Sequence, residues 1–141
     1  MSRIIWPIIC FIAFIACNSA SAQENLPQGF YTGEQNRVRC AIFESGLNCE
    51  IDFTDWQPDE SEPEDCEFDR IKYVSMNQTG LAEGGWLCVS DTWMHEGIKE
   101  LPHGQSWKHN NFSCDLTEKR LRCVNAGRHG WELSRKRVKL F

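Results

Sequence analysis

Val38-Arg39-Cys40-Ala41-Ile42-Phe43-Glu44-Ser45-Gly46-Leu47-Asn48-Cys49-Glu50-Ile51 carries a pattern that returns later as Phe112-x-Cys114-x-Leu116-x-Glu118-x-x-Leu121-x-Cys123. In both stretches apolar residues alternate toward a four-residue turn and alternate away from it, the period of a half-buried strand. Folding the first about Phe43-Glu44-Ser45-Gly46 sets Ile42 against Leu47, Cys40 against Cys49 and Val38 against Ile51. The same register about Thr117-Glu118-Lys119-Arg120 sets Leu116 against Leu121 and Cys114 against Cys123. Directly opposed residues of a non-hydrogen-bonded pair have the Cα separation that a disulfide needs. The spacing therefore predicts two look-alike hairpins, closed by Cys40–Cys49 and Cys114–Cys123.

The other cysteines sort by position. The chain has 141 residues and eight cysteines. Met1-Ser2-Arg3 is a short basic start, a mostly apolar run follows from Ile4 to Cys17, and Ala20-x-Ala22 is the small-residue pattern after which a signal peptidase cuts. Residues 1–22 read as a cleaved export signal, which removes Cys10 and Cys17. A rival reading makes Cys17 the lipidated first residue of a lipoprotein, although Phe14 stands where Leu is usual; only that lipid would bring a membrane contact. Six cysteines remain, an even number in an exported chain, and the third bridge is Cys66–Cys88 by elimination. A zinc site is disfavoured because no Cys-x-x-Cys or Cys-x-x-His occurs. No cofactor is expected.

Ile71 to Met76 alternates as a strand. Trp86-Leu87-Cys88-Val89 follows Gly84-Gly85 as a buried one, and Trp131-Glu132-Leu133 and Val138-Lys139-Leu140 complete seven or eight. No window of the mature chain carries helical periodicity. The expected fold is all-β: a single antiparallel sandwich or partly open barrel over residues 30–141, behind a loose lead at 23–29. Trp86 and Trp131 fall in strand patterns and read as core, whereas Trp56, Trp93 and Trp107 fall in polar loops.

Lys and Arg number 15 against 20 Asp and Glu, a net charge of −5. An acidic chain is a poor general nucleic-acid binder, because it cannot displace counterions from phosphate. The charge is unevenly spread. Residues 55–69 hold eight carboxylates and no cation, and residues 119–141 hold eight cations and one acid, Glu132. The acidic stretch lacks the ligand cadence of a calcium loop and reads as a solvated loop. The basic stretch could meet anionic glycans or lipid headgroups. It reads instead as an internal partner for the acidic loop, or as a charged edge that blocks aggregation.

Cys88-x-x-Asp91-Thr92, Leu101-Pro102-x-Gly104-x-Ser106-Trp107, Phe112-x-Cys114, Leu121-x-Cys123-x-Asn125 and His129-Gly130-Trp131-x-Leu133-Ser134-Arg135 follow one another in this order. Together they resemble a family of small exported bacterial domains of unknown function, from Phe30 to Phe141. The chain departs from that family before Val38, where Pro-Ser-Gly-Asn is common, and at Arg70, where a Gly is common. The resemblance implies a bacterial exported β domain and brings no catalytic residue.

An enzyme has little to stand on. Neither His-Glu-x-x-His nor a Gly-x-Ser-x-Gly elbow occurs, and six bridged cysteines leave no thiolate. The alternative is a secreted hydrolase with a site around Asp91 and His95, near Ser90. The favoured expectation is a periplasmic or secreted, non-catalytic binding module for an extracytoplasmic protein or glycan, and one version is an inhibitor or immunity-type protein. Its candidate contacts are Trp56, Trp93 and Trp107, since loop-borne Trp anchors partners, with Asp59, Glu60 and Glu62 of the acidic loop.

Overall fold

A computed structural model describes residues 28–33, 37–52, 54–91 and 97–141. The export signal, Cys17, Trp93 and His95 lie outside the described residues.

Each expected hairpin forms in the expected register. Strand β2 (Val38–Phe43) pairs with β3 (Gly46–Ile51), placing Val38 opposite Ile51, Cys40 opposite Cys49 and Ile42 opposite Leu47. Strand β8 (Phe112–Leu116) pairs with β9 (Leu121–Val124), placing Cys114 opposite Cys123 and Leu116 opposite Leu121. Both cysteine pairs are bridged, with Cα separations of 4.0 and 4.1 Å, and Cys66–Cys88 is the third bridge. Three disulfides fit an oxidising compartment.

Among the described residues eleven strands stand where seven or eight are expected from the sequence. The additions are β1 (Gly29–Thr32), β6 (Lys99–Glu100) and β7 (Ser106–His109). With β4 (Asp69–Met76) and β5 (Glu83–Val89), one sheet has the order β5-β4-β3-β2-β1-β6. With β10 (Gly130–Leu133) and β11 (Val138–Leu140), the other has the order β11-β10-β9-β8-β7. Every pairing is antiparallel except β1 with β6. The two sheets are separate, so the architecture is a sandwich and not a closed barrel. The described residues contain no helix.

Strand alternation supplies the core. Cys40, Leu47, Cys49, Val74 and Met76 of the six-stranded sheet join Phe112, Cys114, Leu121, Cys123 and Trp131 of the five-stranded sheet in one buried cluster. Phe30 of β1 belongs to the same cluster, and β1 begins at Gly29, inside the segment read as a lead.

The sheets are stitched at one end by Asn125. Its Nδ2 donates to the Asn77 and Gly80 carbonyls at 2.8 and 2.7 Å, and its Oδ1 accepts the His129 N–H at 3.0 Å. The Ala126 N–H donates to the Gln78 carbonyl, and a Cβ placed on Gly127 would lie 2.2 Å from the Thr79 carbonyl oxygen. Only glycine lets the β4–β5 turn come that close.

Candidate functional site

The acidic loop wraps an edge strand. Strand β5 closes one side of its sheet and so exposes a row of backbone groups that invites pairing with another chain. Neighbouring residues on a strand point to opposite faces. A Cβ on Gly84 would lie 3.2 Å from the Trp56 ring, and one on Gly85 would lie 3.6 Å from Glu60 Oε2. Trp56 therefore covers one face of β5 and Glu60 reaches the other. Two adjacent residues without side chains make room for both.

The loop is clamped along its length. Lys72 donates to the Thr54 and Trp56 carbonyls and sits 5.2 Å from the centre of the Trp86 ring. Arg70 donates to the Pro63 carbonyl at 2.7 Å and the Glu64 carbonyl at 3.1 Å, and pairs with Glu62 at 3.6 Å. The Asp55 N–H and the Thr54 hydroxyl donate to the Arg135 carbonyl, and Cys66–Cys88 ties the far end to β5. Each of the two cations beside the loop thus donates to two of its backbone carbonyls. Asp59, Glu60, Glu64, Asp65 and Glu67 are exposed, and among the described residues none of them has an ion-pair partner.

The acidity continues onto the outer face of the six-stranded sheet. Burial first, then the negative charges of Glu83 and Glu60, push the Tyr73 phenol above its usual pKa. Asn48, Ser75 and Glu83 stand side by side across three strands, and the Ser75 hydroxyl donates to Glu83 at 3.0 Å. They floor a groove of about 200 Å³, whose walls include Phe43, Glu44 and Leu81. Phe43 is 54% exposed and Leu81 is 74% exposed. Large apolar side chains beside unpaired carboxylates are what a docking face needs: anchors that gain by burial and charges that steer.

Several expected placements change. Trp107 is not loop-borne. It lies in β7, is 9% exposed, and packs 5.1 Å from the Phe30 ring. The strand was masked because Trp107 is its one large apolar residue, set between Ser106 and Lys108. Trp86, expected in the core, is half-buried, because β5 is an edge. Trp56 is half-buried against the core, so its ring serves packing as well as display. Trp93 lies outside the described residues. So does His95, and Asp91 is exposed just beyond β5, which leaves the hydrolase constellation without a described geometry. Among the described residues no three His, Cys, Asp or Glu side chains gather where a metal ion could be held.

The basic stretch does not serve as ionic partner of the acidic loop among the described residues. Arg120 and Arg122 pair with Glu132 of the same stretch, at 2.9 and 3.4 Å. The hydrogen bond from Arg120 holds the Glu132 carboxyl below its usual pKa, and the Arg120, Lys139 and Arg122 charges add to this against some desolvation. The row Ser106–Asp115–Arg122–Glu132–Lys139 crosses all five strands, and its last four members alternate in charge.

Searches with the chain match no family model, no curated protein and no solved structure.

Proposed function

We propose that this is an exported, non-catalytic binding module that docks a cationic extracytoplasmic protein through its acidic side. The observation that carries the reading is the clamped loop of residues 55–69. Its free carboxylates are held on a disulfide-tied frame and clamped by Arg70 and Lys72. A loop ordered before encounter loses little entropy on binding, and a field of one sign speeds association with a partner of the other. The resemblance to small exported bacterial domains and the three disulfides support an encounter in the periplasm or outside the cell. A cationic cell-wall hydrolase of the lysozyme type is the concrete target, and blocking it would make the protein an inhibitor or immunity-type factor.

The test pairs the oxidised protein with cationic cell-wall hydrolases and measures both association rate and residual hydrolysis. The triple variant Asp59→Asn, Glu60→Gln, Glu62→Gln should associate at least tenfold more slowly at low salt, and high salt should erase the difference. If micromolar wild-type protein neither captures nor inhibits any such hydrolase, the reading fails.

A further inference from the structure

The sandwich end opposite the Asn125 stitch is built differently. There the sheets part around a cavity of about 160 Å³ whose walls include Val38 and Ile51 of one sheet and Leu116, Leu121 and Leu133 of the other. Its mouth carries Arg37, Lys119 and Arg135, all exposed. None of the three has an ion-pair partner among the described residues. Arg120 also borders the mouth but is engaged by Glu132. Of the two acids there, Asp52 is bound by Arg39 at 3.0 Å, which leaves Glu118 against three free cations. His103 adds a further nitrogen-bearing side chain at the rim.

We propose that this cavity binds a small anionic amphiphile: a carboxylate or phosphate at the rim, joined to a compact apolar group that enters between the sheets. The apolar walls select the tail. A cavity of roughly 150 Å³ lined by aliphatic side chains holds a benzene-sized group. The rim selects the head, because unpaired guanidinium and ammonium groups bind anionic oxygens through charge-assisted hydrogen bonds. Neither element alone makes the site. Apolar walls without the cations would take any neutral hydrocarbon, and the cations without the walls would be an ordinary solvated edge. The site adjoins the start of the acidic loop, whose Thr54 hydroxyl and Asp55 N–H donate to the Arg135 carbonyl, but it does not depend on the docking reading.

The probe is 3-phenylpropionate, which joins an aromatic ring for the apolar walls to a carboxylate for the rim cations. Its neutral counterpart is 3-phenylpropanol, and acetate supplies the head without the tail. Binding is read by calorimetry and by amide shift changes in 15N-labelled full-length oxidised protein. Shifts should cluster at Val38, Ile51, Leu121 and Leu133, with the alcohol at least tenfold weaker and acetate silent. Arg37→Glu, Lys119→Glu and Arg135→Glu together should cost at least tenfold in affinity. These residues are exposed, so the variant should keep the wild-type spectrum elsewhere. Val38→Phe, which fills the cavity from its edge, should block binding with the rim intact. Asp59→Asn, Glu60→Gln, Glu62→Gln should leave binding unchanged, which separates this site from the docking face.

Equal affinity for acid and alcohol would overturn the proposal. So would shifts confined to the Phe43 groove, or no shifts at 10-fold excess over millimolar protein. Cosedimentation with phosphatidylglycerol vesicles that is sensitive to the rim variant, without binding of the free acid, would overturn it in favour of a membrane surface.

Discussion

The two hairpins share a register and a disulfide, yet they are buried in different ways. In β2–β3 the outward-facing Glu50 is 2% exposed, and Arg39 grips it through Nε at 3.2 Å and Nη2 at 3.1 Å while also holding Asp52. The matching position in β8–β9 is Val124, and the neighbouring Arg122 is exposed enough to lie over the Phe141 ring and share Glu132. Both hairpins lie inside their sheets, but the first carries an ion pair whose carboxylate is taken out of water. The other has a wet outer face whose charges alternate from strand to strand. The turns differ as well. Glu44–Ser45 closes the first as a two-residue turn, with Glu44 at φ 55°, whereas Thr117 closes the second by accepting the Lys119 and Arg120 N–H groups on its hydroxyl. Identical sulfur clasps thus support two unlike surfaces, because the clasp constrains only the inward face.

The largest test of this pairing is reduction. On the chain-entropy model two ten-residue loops and one about twice as long contribute roughly 3 kcal/mol each, about 9 in all, against a typical domain stability of about 5–15 kcal/mol. Excess dithiothreitol should abolish the near-UV CD signal or lower Tm sharply. An unchanged spectrum would mean that the sheets hold without their clasps. If the hairpins are equivalent on the inside, Cys40→Ala with Cys49→Ala and Cys114→Ala with Cys123→Ala should shift the denaturation midpoint by similar amounts.

The next test separates the outer faces. Arg39→Ala leaves the buried Glu50 without its guanidinium and should cost about 3–5 kcal/mol, as broken buried pairs do. Arg122→Ala breaks an exposed pair, and its effect in the same denaturation experiment should be several-fold smaller. Comparable losses would contradict the contrast drawn between the hairpins.

The smallest effect is in pH. The Tyr73 phenol is raised above its unfolded value of 10.0, so the folded state holds this proton more tightly. Stability from this source is intact below pH 10 and is lost as pH rises through the folded value. Above pH 10 the wild type should lose stability more steeply than Tyr73→Phe. Parallel curves would mean that burial, with Glu83 and Glu60, does not raise the phenol's pKa in the folded state.

Much of the scaffold was legible before any coordinate. Cysteines facing each other across a matched alternation left a single register for each hairpin, and elimination then joined Cys66 to Cys88. Strands β6 and β7 escaped notice because two to four residues with at most one large apolar side chain carry no readable period. Trp107 was misplaced for the same reason. The acidic loop is legible by its charge, but its second task, covering the two faces of β5 at Gly84 and Gly85, is not. Gly84-Gly85 read as the start of a strand, and nothing local says that Trp56 and Glu60 approach it from opposite faces. Asn125 stood in a motif without a visible purpose until the β4–β5 turn came against it. The cavity beneath Arg37, Lys119 and Arg135 joins residues almost a hundred positions apart.

The amino-acid order alone determined the inward face of this protein: which side chains alternate, which sulfurs meet, and that the chain folds as β structure. These depend on neighbours two residues or one hairpin away. The tertiary structure alone decided the outward properties: which carboxylate is sealed from water, which loop covers an edge, and which cations stand free at an opening. Those depend on what another segment does to the local dielectric and exposure, and short-range pattern holds no record of that.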